Sequence, residues 1–201
     1  MVDVTIYVDE KEIKRRLGNL AYKSGSVISR AANRAAKTGK VTISRDVSKK
    51  YLLTQKEINS EGIFHLKNAN SNEPTARLTY RDKHRNLYLW KNVVTPRTII
   101  HWTAGPKPNV KNYKARVMRG HSKIPMTGPN APFIQKTHNH DFVGLFRRKT
   151  EDRDSKLIGV SASSLPQIIR NEETMALFHT NSEKMFEKRV IHEIERVLEG
   201  H

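Results

Sequence analysis

Residues 157–169 read Leu157-Ile158-Gly159-Val160-Ser161-Ala162-Ser163-Ser164-Leu165-Pro166-Gln167-Ile168-Ile169, and the chain closes through Arg189-Val190-Ile191-His192-Glu193-Ile194-Glu195-Arg196-Val197-Leu198. A short apolar strand over 157–160 runs into a turn of small residues. Pro166 stands where a helix can begin, because the N–H it lacks has no partner in a first turn. From there Met175, Phe178, Met185, Phe186, Val190, Ile194 and Val197 recur at helical spacing, which predicts one long amphipathic helix to the end of the chain. Just upstream, Phe142-Val143-Gly144-Leu145-Phe146-Arg147-Arg148-Lys149 is an apolar strand that ends in a basic cluster. Strands followed by a segregated helix point to an α+β class.

Working outward, Pro132–Thr137 pairs with the 142–148 strand as a hairpin across His138-Asn139-His140-Asp141, and 150–156 is a polar turn. At the other end, Val4, Ile6 and Val8 alternate along an opening strand over 2–8, and Asp9 can cap the helix after it. Ile13, Leu17, Leu20, Val27, Ile28, Ala31 and Ala35 mark one helical face, with basic residues opposite. That helix is expected to end or bend near Gly39, with a second helix over 40–51 presenting Ile43, Val47 and Tyr51. Thr54-Gln55-Lys56-Glu57 has capping-box spacing and predicts a short third helix. Residues 63–67, 76–80, 86–91 and 98–103 are rich in β-branched and aromatic residues and predict an antiparallel sheet. Residues 104–132 lose all periodicity. They hold Lys107, Lys111, Lys114, Arg116, Arg119 and Lys123 among Gly and Pro, with no acid, and are read as a mobile basic arm.

The whole is therefore expected to be a single α+β domain over 1–201. N-terminal helices and a long C-terminal helix pack on a mostly antiparallel β-sheet, with a long basic loop. Its parts are an opening strand and helices over 1–58, a β-sheet over 59–103 and the basic loop over 104–132. A hairpin and strand follow over 133–160, and the C-terminal helical segment spans 165–199. A chain of 201 residues can bury roughly 70% of its unfolded surface and needs no covalent staple. It has no cysteine, which excludes disulfides and thiolate metal sites. The N-terminus lacks the pattern of a secretory signal, and no stretch approaches the ~20 apolar residues of a membrane span.

Charge is the other strong signal: 37 Lys and Arg face 20 Asp and Glu, for a net +17. The excess is uneven, because residues 171–201 hold 7 acids and 4 bases. A field of this size attracts polyanions, although charge alone names no partner.

No Gly-x-Ser-x-Gly, Walker loop, dinucleotide fingerprint or His-Glu-x-x-His is present. His138, His140 and Asp141 superficially suggest a metal nuclease, but two same-side imidazoles and one carboxylate fall short of a ligand set, and a solvated turn is the preferred reading. His192-Glu193, flanked by Arg189 and Arg196, reads as a solvated helix face with ion pairs one turn apart. Trp90 and Trp102, with Tyr80 and Tyr88, fit packing better than base stacking.

Taken in order, the Ala-rich basic helix Ala31-Ala32-Asn33-Arg34-Ala35-Ala36, the 142–149 strand, Ser164-Leu165-Pro166-Gln167-Ile168 and the 189–198 helix resemble the minor tail protein Z family of long-tailed bacteriophages. The family's Gly-Pro-Ser turn before this Pro is Ala162-Ser163-Ser164 here, and 59–132 has no counterpart. The resemblance implies a structural virion protein and not an enzyme. Such a protein completes the head-proximal end of the tail and forms part of the head–tail connector, or neck, around the DNA channel. It implies assembly in the bacterial host cytoplasm into a six- or twelve-fold ring. The partners it implies are the tail terminator, the head-closure or adaptor proteins and, beside them, genomic double-stranded DNA, with no cofactor, metal or membrane. On this reading Lys107, Lys111, Lys114, Arg116, Arg119 and Lys123 contact DNA or a neighbouring ring, and Phe178, Met185, Phe186, Val190 and Ile194 pack subunits together. The competing expectation is a sequence-nonspecific or regulatory DNA-binding protein.

Overall fold

The computed structural model describes residues 1–5, 10–90, 93–95, 113–128, 130–137, 142–152 and 154–200. The fold is α+β, with two 27-residue helices and three small antiparallel sheets. The chain, read from its length as a single domain, divides into two compact units: Met1–Val47, Gln55–Asp82 and Leu165–His201 form one, Ser48–Thr54 and Lys83–Ser164 the other.

In the first unit, β1 (Val2–Thr5) and β2 (Phe64–Lys67) flank β3 (Arg77–Tyr80). The register sets Val2 and Phe64 beside Tyr80, and Val4 and Leu66 beside Leu78. Because β3 is the middle strand, Leu78, Thr79 and Tyr80 are all buried, and on the opposite face Thr79 Oγ1 donates to Asp3 Oδ1 at 2.6 Å. The helical part begins with α1 (Glu10–Leu17), stops at Gly18 with φ +53°, passes through a 3₁₀ stretch and re-forms as α2 (Ser24–Lys50). The left-handed φ suits glycine and explains the break.

Helix α2 does not end at Gly39. It runs unbroken to Lys50, absorbing the separate helix expected over 40–51. A Cβ on Gly39 would run into the Phe178 ring and lie 2.7 Å from Ser182 Oγ. Gly39 is therefore a notch that lets a second helix come close. That helix is α5 (Glu172–Leu198), preceded by the one-turn α4 (Leu165–Ile169). Asn171 separates the two and caps α5 by accepting from Glu173 N at 3.1 Å. Ile13, Leu17, Val27, Ile28 and Ala31 meet Val190, Ile194 and Val197 in one apolar cluster, with Leu20 and Phe186 packed on its edge. Asp46 Oδ2 accepts from Thr174 Oγ1 at 2.6 Å, and Asn33 brackets Ala69, donating to its C=O at 2.9 Å and accepting from its N–H at 2.8 Å. The capping-box segment forms α3 (Gln55–Ile58) as expected.

In the second unit, β8 (Val143–Arg148) pairs with β7 (Phe133–Lys136), as the hairpin reading predicted, and on its other side with β9 (Leu157–Gly159). Ile134 and Leu145 face each other and are fully buried. Residues 86–91 depart from the expected strand, because Asn86 initiates a 3₁₀ turn over Leu87–Leu89. Its amide accepts from Leu145 N at 2.7 Å and donates to Leu145 O at 2.8 Å, so one side chain pairs with a strand residue as a backbone would. A Cβ on Gly144 or Gly159 would sit 3.1 or 3.3 Å from that amide nitrogen. The strand expected over 98–103, with Trp102, and the 138–141 turn lie outside the described residues.

Candidate nucleic-acid interface

Where it is described, the acid-free stretch is not wholly irregular and contributes two short paired strands. Lys114–Ala115 forms β5, between β4 (Val94–Thr95) and β6 (Ile124–Pro125). The pairs are Thr95 with Lys114, Val94 with Ala115, Lys114 with Pro125 and Ala115 with Ile124. Alternation then separates two faces. Val94 and Ala115 are buried, whereas Thr95, Lys114 and Pro125 are exposed. Arg116 N donates to Val93 O at 2.9 Å, and the register, carried one residue past both strands, brings Arg116 opposite Lys123. Lys114, Arg116 and Lys123 thus share one face. Lys123 Nζ donates to Thr95 Oγ1 at 2.6 Å across that face, and Arg116 Nη1 reaches His121 O at 3.4 Å. Arg116 Nε is buried and has no hydrogen-bond partner among the described residues.

Of the six cations read as one contact set, three are brought together. Lys107 and Lys111 lie outside the described residues. Arg119 is engaged elsewhere. Its N–H donates to Lys50 O at 2.8 Å, and its Nε donates to Ser48 O at 2.8 Å and Tyr51 O at 3.0 Å. It closes the C-terminal end of α2, where unpaired carbonyls and the negative dipole end favour a cation. Leu52 N to Val117 O at 2.9 Å fixes the same crossing. Periodicity gave no hint of these pairings, since each strand is two residues long and its partner is distant in sequence.

The proposed subunit-packing stripe is also reassigned. Phe178, Val190 and Ile194 are buried inside the first unit, and Met185 and Phe186 are half-buried. Phe178, Val190 and Ile194 fill the unit's own core, whereas Met185 and Phe186 keep part of their surface exposed. Glu193 corrects the solvated-face reading. It is 4% exposed, 3.3 Å from Arg30 Nη1 and 3.9 Å from Arg189 Nη2. A buried carboxylate at the rim of an apolar cluster needs such partners, because an isolated charge there is costly. Trp90 is buried at 3% exposure, as a packing role requires.

Among the described residues, no three His, Asp or Glu side chains stand close enough to hold a metal ion, and no helix is long and apolar enough to cross a membrane. Compared with protein-family models, curated proteins and solved structures, the chain matches none.

Charge divides sharply between the units. The first holds 19 Lys and Arg against 16 Asp and Glu, the second 18 against 4, leaving +3 and +14. The second unit's four acids are Asp141, Glu151, Asp152 and Asp154, so residues 83–140 carry no carboxylate side chain.

Proposed function

We propose that this chain is a structural virion protein of a tailed bacteriophage, one that completes the head-proximal end of the tail and forms part of the neck around the DNA channel. Two things support the reading. The order of the 31–36, 142–149, 164–168 and 189–198 segments resembles the minor tail protein Z family. The observation that carries it beyond resemblance is the division of charge, with +14 on one compact unit and +3 on the other. A nearly balanced unit suits protein neighbours, and a strongly basic one suits a position beside packaged DNA. The partners in this reading are further copies in a ring, a tail terminator and a head-closure protein.

The test is a deletion of the coding sequence in the parent phage. The expected result is full heads and complete tails that fail to join, with joining restored by added protein and the chain detected in purified particles. Finding normal particles that lack the chain would sink the proposal. A sequence-nonspecific DNA-binding protein is the second reading, favoured by the same +14. It predicts retention on DNA in infected cells and no place in the particle.

A further inference from the structure

We infer that the Lys114–Arg116–Lys123 face of the β4–β5–β6 sheet is a contact for the phosphate backbone of duplex DNA. This deepens the neck reading, on which it rests for its biological setting, by naming the surface that meets the genome.

Two observations carry it. The cations sit on or directly beside paired strands: Lys114 lies in β5, Arg116 follows that strand, and Lys123 precedes β6 with its Nζ bonded to Thr95 Oγ1. Residues two apart in a strand are separated by ~6.7 Å. Cations that close together can engage neighbouring phosphates of one backbone. Like charges across a sheet destabilise it, and no carboxylate in residues 83–140 offsets them.

An acidic protein face is the competing occupant. Protein interfaces are depleted in Lys and built around apolar cores. Here the face presents Lys114, Lys123, Thr95 and Pro125, while the strongly exposed Ile124 points to the other side. Polar, cation-rich, wet surfaces are the norm for DNA contacts. Because such contacts go to phosphate, the face should read no base sequence.

The experiment titrates the full chain against two unrelated 24-bp duplexes over a range of NaCl concentrations. The expected result is equal affinity for both duplexes and a steep linear fall of log affinity with log salt. K114Q/K123Q should shallow that slope by about 1.8, at roughly 0.9 per lost phosphate contact, with the fold retained by circular dichroism. R34Q/K37Q, which removes two exposed cations from α2 in the other unit, should leave the slope unchanged. A slope unaltered by K114Q/K123Q, or lowered equally by R34Q/K37Q, overturns the assignment. So does competition by poly-glutamate as effective as DNA at equal charge, which would assign the face to an acidic protein. None of these outcomes touches the particle test above, so the two ideas fail separately.

Discussion

Tyr80 occupies the middle of the first unit's sheet with no exposed surface, its ring 5.1 Å from that of Phe64, and its hydroxyl has no hydrogen-bond partner among the described residues. Burial pushes the phenol pKa up, beyond the range in which a tyrosine ordinarily ionises. The sign follows from linkage. The unfolded chain releases the proton near pH 10, whereas the folded chain retains it. The folded state therefore binds more protons above that pH, and stability falls as pH rises. Below pH ~10 the contribution is intact. Y80F removes the ionisable group and an unsatisfied polar atom together. It should match or exceed the parent by up to about 1 kcal/mol at pH 8, and lose less stability on moving to pH 10.5, both read from urea unfolding. A loss of about 2 kcal/mol or more at pH 8 would mean that the hydroxyl has a partner. Asn86 is the opposite case, a polar side chain whose oxygen and nitrogen are both matched to Leu145.

At the scale of elements, Gly39 shows packing overruling propensity. In an exposed helix, Gly to Ala should stabilise by ~1 kcal/mol. Here the added methyl meets the fully buried Phe178 ring and Ser182 Oγ, and neither can swing into solvent. Overpacking of this kind costs ~1–3 kcal/mol, so G39A should lower the urea midpoint despite its better propensity. An increase would show that α5 can shift to make room. The same site marks how far the sequence could be read. Elements defined by their own residues were legible: the capping box of α3, the β-branched and aromatic content of β2 and β3, the 142–148 hairpin strand and the amphipathic C-terminal helix. Elements defined by a distant partner were not. Gly39 looks like a stop until Phe178 is placed against it, and residues 86–91 look like a strand until Asn86 turns onto Leu145. The basic stretch over 113–128 looks irregular because its order comes from residues 93–95 and 48–52. Of the candidate site, the chemistry of Lys114, Arg116 and Lys123 was visible in composition. Their shared face was not, and neither was the separate duty of Arg119.

For the molecule as a whole, charge sets how stability responds to salt. The second unit's 18 bases and 4 acids leave a net repulsion in the folded state, and unfolding lets the like charges move apart. Salt screens that repulsion over a length of ~10 Å at 0.1 M. Salt also weakens favourable pairs, among them Lys14–Glu10, Arg15–Glu12, Arg16–Glu12 and Lys67–Glu73 in the first unit. Those pairs are solvent-exposed, and pairs of that kind contribute little to stability. They are also local, whereas the repulsion sums over every like pair within a Debye length. Repulsion should therefore win. Raising NaCl from 20 to 300 mM should increase the melting temperature, by roughly 2–4 °C if ~1 kcal/mol is relieved. A short duplex added at 20 mM salt should raise it further, since a ligand that binds only the folded state stabilises it by mass action. That second increment should vanish at 300 mM, where counterion release no longer favours binding. A melting temperature that falls with NaCl would mean that the ion pairs outweigh the repulsion and that the basic unit is neutralised within the fold. A DNA increment that survives 300 mM salt would mean that binding rests on contacts other than phosphate.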